Sequence, residues 1–125
     1  MMRLLIIMMM AFSFSCTDEK PNLNQLELLE LIKSLESDVE VLVPPSLDKP
    51  LVYCYKYLPP CKRGYKVKIK GLEVTALLYE TKKNAKESAI SLKGYQYRNW
   101  AFDQVRTEPI LERFFEDEVG AKKRF

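Results

Sequence analysis

The chain has 125 residues, carries 20 Lys and Arg against 17 Asp and Glu, and contains no histidine. This length fits one compact domain, and the missing imidazole excludes Ser-His-Asp and Cys-His catalysis together with histidine-containing zinc sites. Three cysteines are too few for a four-thiolate zinc site, and the four glycines form no phosphate-binding loop.

The first fifteen residues have the pattern of an export signal. Arg3 carries the positive charge of such a signal, and the apolar run from Leu4 to Phe14 is shorter than the roughly 20 residues that cross a bilayer. Ser15 before Cys16 resembles the lipobox of bacterial lipoproteins, although Ser13 stands where that family usually has leucine. The resemblance implies that Cys16 is lipidated and becomes the mature N-terminus. It also implies a lipid anchor in the bacterial envelope membrane, expected to be the outer membrane facing the periplasm.

The cysteine count bears on how this signal is cleaved. Residues 13–15 also fit the small-x-small pattern of ordinary signal peptidase, which would release a soluble secreted binding protein that begins at Cys16. An odd number of cysteines in an exported protein leaves one unexplained, whereas lipidating Cys16 leaves Cys54 and Cys61 to form a disulfide. Their spacing is not the Cys-x-x-Cys of a redox dithiol, so the predicted bridge is structural.

The mature chain is predicted to be a short tether followed by one domain. The boundaries are residues 1–15 for the signal peptide, 16–21 for the lipidated tether and 22–125 for the domain. Asn22 and Gln25 resemble a capping box before a helix from about Asn24 to Ser37, which has a broad leucine face. That face could dock a partner helix, but a domain this small needs such a helix to cover its own sheet, and this packing is predicted.

Alternation of apolar residues predicts the first strands. Val39 to Val43 is either a short edge strand or an extended connector, and Leu51 to Tyr57 reads as a strand that Pro59-Pro60 ends. Tyr65 to Ile69 alternates with lysines, which predicts a strand with one apolar and one basic face. The alternation changes parity at Lys70-Gly71, so this junction is either a tight hairpin turn or a bulge.

The clearest unit is a strand, a helix and a second strand. Leu72 to Glu80 is the first strand, and Thr81 can cap a helix from Lys82 to Lys93. Gly94 is expected to supply the left-handed residue that ends this helix. Tyr95 to Val105 is predicted as one further strand; if the two strands are adjacent and parallel, their crossover is right-handed.

The C-terminal segment completes an α+β fold. Thr107 can cap a third helix, from about Glu108 to Val119, which Gly120 ends before a basic tail at residues 121–125. The predicted fold is a single small α+β domain, with an antiparallel or mixed sheet of three to five strands and about three helices.

A concentration of positive charge is the main candidate binding feature. From Lys49 to Arg106 there are 13 basic and 4 acidic residues. The candidate partners in the envelope are phospholipid or lipopolysaccharide head groups, acidic wall polymers or an acidic protein, because anionic surfaces attract exposed lysines. The lysines can instead be the solvent face of an amphipathic strand, or lie beside the acidic first helix. The candidate anion-binding residues are Lys62, Arg63, Lys66, Lys68 and Lys70.

These patterns predict a membrane-anchored envelope lipoprotein whose small domain binds or scaffolds another envelope component without catalysis. No cofactor or metal is expected, and export together with the missing motifs argues against nucleic acid. The alternative is a small envelope hydrolase acting through carboxylates, which needs two acidic side chains about 5 to 10 Å apart in a deep pocket.

Overall fold

The computed structural model describes residues 22–46 and 48–125. The predicted signal peptide and tether, with Cys16, lie outside the described residues. The helices are α1 (Gln25–Leu35), α2 (Lys82–Leu92) and α3 (Pro109–Arg113), which continues into a π-helical segment (Phe114–Val119). The strands are β1 (Val39–Val41), β2 (Arg63–Ile69), β3 (Leu72–Leu78), β4 (Tyr95–Tyr97), β5 (Trp100–Asp103) and β6 (Lys122–Lys123). Among these described helices, none is both long and apolar enough to cross a membrane.

The strands form one antiparallel sheet in the order β1-β2-β3-β5-β4-β6. For the described residues, the predicted single α+β domain with about three helices is confirmed, but the prediction of three to five strands is wrong because the described sheet has six. Tyr95 to Val105 folds as the β4–β5 hairpin instead of one strand, and the predicted basic tail contributes β6. Because β3 pairs with β5 in antiparallel fashion, the conditional parallel crossover does not arise.

Both faces of the sheet are covered. We call α3 and its π-helical continuation the C-terminal helical segment. This segment and α1 pack on one face, where Leu28 and Ile32 join Val67 and Ile69 in the larger core. This contact confirms the prediction that the first helix covers its own sheet. α2 packs on the other face through close-fitting alanines such as Ala85, which is fully buried. Burial on both faces explains why the centre of β3 is a nearly continuous apolar run.

The Lys70-Gly71 junction is a hairpin turn. Ile69 pairs with Leu72 across a two-residue loop, and both loop residues have positive φ, 53° for Lys70 and 78° for Gly71. Positive φ at both positions is the geometry of a type I′ turn, whose twist matches that of the flanking strands. The bulge alternative is therefore excluded.

The observed helix ends agree only partly with those predicted from the sequence. The capping box at α1 is formed by Asn24 and Glu27, two residues later than predicted. Thr81 caps α2 as predicted, by accepting a hydrogen bond from the backbone N–H of Asn84 at 3.1 Å. The left-handed residue that ends α2 is Lys93, with φ 54°, and not Gly94. The cap of α3 is Glu108, not Thr107.

Gly94 is needed for close packing instead. A Cβ at this position would overlap the backbone carbonyl oxygen of Phe102. We expect Gly94→Ala to destabilise the fold by about 3 kcal/mol, the upper end of the usual overpacking cost, because the neighbour is backbone and cannot rotate away. The matched control is Gly71→Ala, where a Cβ meets no atom within 4 Å and only the positive φ is unfavourable, at about 1 kcal/mol. Urea unfolding of the two variants would measure both changes; equal losses would contradict the packing role.

Candidate interaction surface

The segment before α1 is fixed to one end of the sheet by a buried asparagine. The backbone N–H of Leu23 donates to Asn99 Oδ1 at 2.7 Å, and Asn99 Nδ2 donates to the carbonyl oxygens of Leu23 (3.2 Å) and Tyr79 (3.0 Å). Trp100 Nε1 also donates to the Leu23 carbonyl, at 2.9 Å. We call this end the tether end of the sheet, because the predicted tether would join it; it is formed by residues 22–23, 79–81 and 98–99.

A loop closed by a disulfide lies at the same end. The predicted strand from Leu51 to Tyr57 is wrong, since this region contains a 3₁₀ turn at Cys54–Lys56 and no strand. The predicted Cys54–Cys61 disulfide is present, with the Cα atoms 4.7 Å apart. Closing so short a loop stabilises the fold by roughly 2.5 kcal/mol in the loop-entropy model. Tyr79 connects the loop to the tether end, because its hydroxyl donates to the Pro59 carbonyl at 2.7 Å.

A glycine lets this loop pack on the sheet. Gly64 leaves the space that Val52 fills, since a Cβ at position 64 would overlap the valine side chain. Val52 and Cys61 are consequently buried in the smaller core, beside Leu77 of β3. The base of the loop is thus held rigidly, while its outer residues are left in solvent.

The outer residues of the loop form an exposed aromatic and basic cluster that the sequence analysis missed. Tyr55 and Leu58 are each 73% exposed. The Tyr53 and Tyr55 rings meet edge to face at 5.8 Å, and Lys56 Nζ lies 5.0 Å from the centroid of the Tyr53 ring. We call Tyr53, Tyr55, Lys56 and Leu58 the loop tip. The sequence did contain one signal for a loop here. Two cysteines flank two adjacent prolines, and the prolines make a regular strand at this position unfavourable.

The two strand lysines of the predicted anion site lie beside carboxylates. Lys66 and Lys68 share the face of β2 that points away from α1, so the acidic first helix does not neutralise them. Lys68 is directly opposite Glu40 of β1 and Glu73 of β3. Lys66 Nζ lies 3.8 Å from a Glu73 carboxylate oxygen. Such surface pairs stabilise by only about 0 to 1 kcal/mol, but they leave this face with balanced charge.

The other three residues of the predicted anion site lie elsewhere. Lys62 and Arg63 are exposed at the tether end, where β2 begins. Lys70 is in the hairpin turn at the opposite end of β2, with its Nζ 5.9 Å from the Phe114 ring centroid. The five candidate residues therefore occupy three places and do not form one site. Among the described residues, neither Lys62 nor Arg63 forms an ion pair.

Glu112 and Glu116 lie close to each other, but the contact between them is structural. The Tyr95 hydroxyl lies 2.8 Å from a Glu116 oxygen and 3.2 Å from a Glu112 oxygen, which places the two oxygens no more than about 6 Å apart, within the range used by glycosidases. Burial is the largest cause that raises the pKa of the Tyr95 hydroxyl, and the two carboxylates raise it further. The hydroxyl therefore stays protonated and acts as a hydrogen-bond donor. The hydroxyl occupies the space between the carboxylates and joins β4 to the C-terminal helical segment.

The interior offers little room for a ligand. A cavity of about 20 Å³ lies between α1 and the sheet, with an apolar lining that includes Leu28, Ile32 and Trp100. That space admits about one water molecule, whereas ligand pockets usually exceed about 300 Å³. Within residues 22–46 and 48–125, no group of three or more metal-ligating side chains is arranged to hold an ion. Exposed surface is therefore the better place to look for an interaction.

No protein-family model, curated protein or solved structure matches this chain. Its function is inferred from its residues and contacts alone.

Proposed function

We propose that the protein is a lipid-anchored lipoprotein of the bacterial envelope, whose small domain binds another envelope component through its surface and without catalysis. The observation that carries this proposal is the Cys54–Cys61 disulfide. Structural disulfides persist in oxidising compartments, which supports export. The bridge also accounts for two of the three cysteines and leaves Cys16, which follows Ser15 at the end of the apolar run, as the residue available for lipid.

The position of the tether end also supports this arrangement. The described domain begins at Asn22, whose side-chain amide donates to the Glu80 carbonyl at 3.2 Å, and Leu23 is fixed by Asn99. The domain is thus held firmly from its first described residues, and only residues 16–21 would separate it from the lipid. A lipid on Cys16 would keep the domain beside the membrane, and the leaflet facing the periplasm is the proposed location.

Metabolic labelling of the full chain tests the proposal. Cells that express the protein would be grown with an alkyne analogue of palmitate, and the purified protein would be examined for label and by mass spectrometry of its N-terminal peptide. We expect label and a peptide that begins at an acylated Cys16. An unlabelled protein whose N-terminal peptide begins at a free Cys16 would instead identify a soluble secreted protein and reject the lipid anchor.

A further inference from the structure

The loop tip combines exposed apolar surface with a rigid base. Tyr55 and Leu58 are among the most exposed large hydrophobic residues of the described chain, whereas Cys61 is buried and Pro59 accepts a hydrogen bond from Tyr79. Tyrosine has an apolar ring and a polar hydroxyl, a combination that favours the boundary between lipid and water. A loop whose base is held by a disulfide and by packing also loses little conformational entropy when it docks.

The length of the predicted tether limits which part of the domain can meet the membrane. Six residue steps from Cys16 to Asn22 span at most about 21 Å between their Cα atoms. A domain of this size has a radius of gyration near 13 Å, and hence a diameter of about 33 Å. The end that carries Lys70 and Gly71 is therefore out of reach of the anchoring membrane. The tether end is within reach, and so is the base of the disulfide loop, because Pro60 and Lys62 line the same surface hollow as Glu80.

The disulfide loop and the segments next to the tether end carry a net positive charge. Residues 53–63, 80–83 and 97–99 contain six basic residues and one acidic residue, Glu80. Clustered lysines and arginines near an anionic bilayer are attracted to its surface. The basic residues are Lys56, Lys62, Arg63, Lys82, Lys83 and Arg98.

We propose that the loop tip docks on the membrane in which Cys16 is anchored, with Tyr55 and Leu58 entering the head-group region and the surrounding cations binding anionic phospholipid head groups. The inference rests on the proposed lipid anchor, because the tether argument requires it. Docking would hold the domain in one orientation, with the hairpin of β2 and β3 directed away from the membrane. Tethering raises the local concentration of the loop, so a weak intrinsic affinity suffices.

The test uses the mature chain, residues 16–125, with Cys16→Ser so that no lipid contributes. It would be co-sedimented with phosphatidylcholine vesicles, with and without phosphatidylglycerol, over a salt series. We expect binding to the anionic vesicles that weakens with salt, and a loss of about tenfold in affinity for Tyr55→Ser/Leu58→Ser. The matched control is Ile90→Ser/Ile110→Ser, which removes two other exposed hydrophobic residues and should bind like the parent chain. Unchanged melting temperatures would establish that both variants are folded.

Three results would overturn the docking proposal. The first is no sedimentation of the parent chain with anionic vesicles, and the second is equal binding of the parent chain and the Tyr55→Ser/Leu58→Ser variant. The third is loss of binding in Lys66→Glu/Lys68→Glu while the Tyr55→Ser/Leu58→Ser variant still binds. The last result would place the contact on the β2 lysines. Because the assay omits the lipid, its outcome is independent of the labelling experiment, and failure of either proposal can be recognised separately.

Discussion

Replacing Cys16 with serine is expected to move the protein almost completely from the membrane fraction to the soluble fraction. A serine hydroxyl cannot form the thioether through which lipoproteins carry their lipid. Each buried CH₂ of an acyl chain contributes about 0.8 kcal/mol, so two or three chains anchor stably where a single chain binds only marginally. We expect the membrane-bound fraction to fall by about two orders of magnitude, leaving only the weak affinity proposed for the loop tip. Fractionation followed by immunoblotting would measure the change.

The control for this experiment removes the other two cysteines. Cys54→Ser/Cys61→Ser loses the disulfide, and roughly 2.5 kcal/mol of stability with it, but retains Cys16. This variant should remain labelled and in the membrane fraction. If Cys16→Ser stays with the membrane while the control behaves as expected, another part of the chain provides the anchor and the lipoprotein interpretation is wrong.

Replacing Asn99 with alanine is expected to destabilise the domain by about 3 to 4 kcal/mol, which is large for a single polar side chain. The amide of Asn99 is buried and satisfies the Leu23 N–H as well as the carbonyl of Tyr79. Alanine would leave both groups buried without these partners, at about 1 to 3 kcal/mol each. In a domain of this size, such a loss lowers the melting temperature by roughly 15 °C or more. Thermal and urea unfolding would measure it.

Two further variants define what the asparagine does. Asn99→Asp keeps an oxygen to accept from Leu23 but places a carboxylate against the Tyr79 carbonyl, so a substantial loss should remain. Asn22→Ala removes one exposed hydrogen bond to the Glu80 carbonyl and should cost no more than about 0.5 kcal/mol. A loss for Asn99→Ala that matches the loss for Asn22→Ala would mean that the asparagine does not hold the tether end together.

Much of the secondary structure could be predicted from the sequence because its causes are local. The alternation in β2 and β3 reflects the two-residue period of a strand, and Thr81 caps the nearest free backbone N–H groups of α2. The disulfide was predictable from the cysteine count and the short spacing between Cys54 and Cys61. None of these features depends on how distant parts of the chain meet.

The missed strands depend on distant contacts. Arg98 has φ 52° in the β4–β5 turn, and a non-glycine residue in that position carries little turn signal, so the hairpin read as one strand. The basic tail becomes β6 because the edge of β4 offers free backbone groups to Lys122 and Lys123. Similarly, the tyrosines near Cys54 resemble a strand in sequence, but the bridge to Cys61 and the packing of Val52 over Gly64 impose a loop.

Strand register and side-chain exposure determine which residues form the candidate interaction surface. Sequence alone showed a run of lysines, yet strand pairing places Glu40 and Glu73 on either side of Lys68 and puts Lys70 at the far end of β2. The sequence by itself determined which residues are charged and which alternate, since those are properties of neighbouring positions. Only the tertiary structure decided that Leu23 and the disulfide loop are both hydrogen-bonded to the end of β3 near Tyr79, because that arrangement depends on hydrogen bonds between residues as far apart as Leu23 and Asn99.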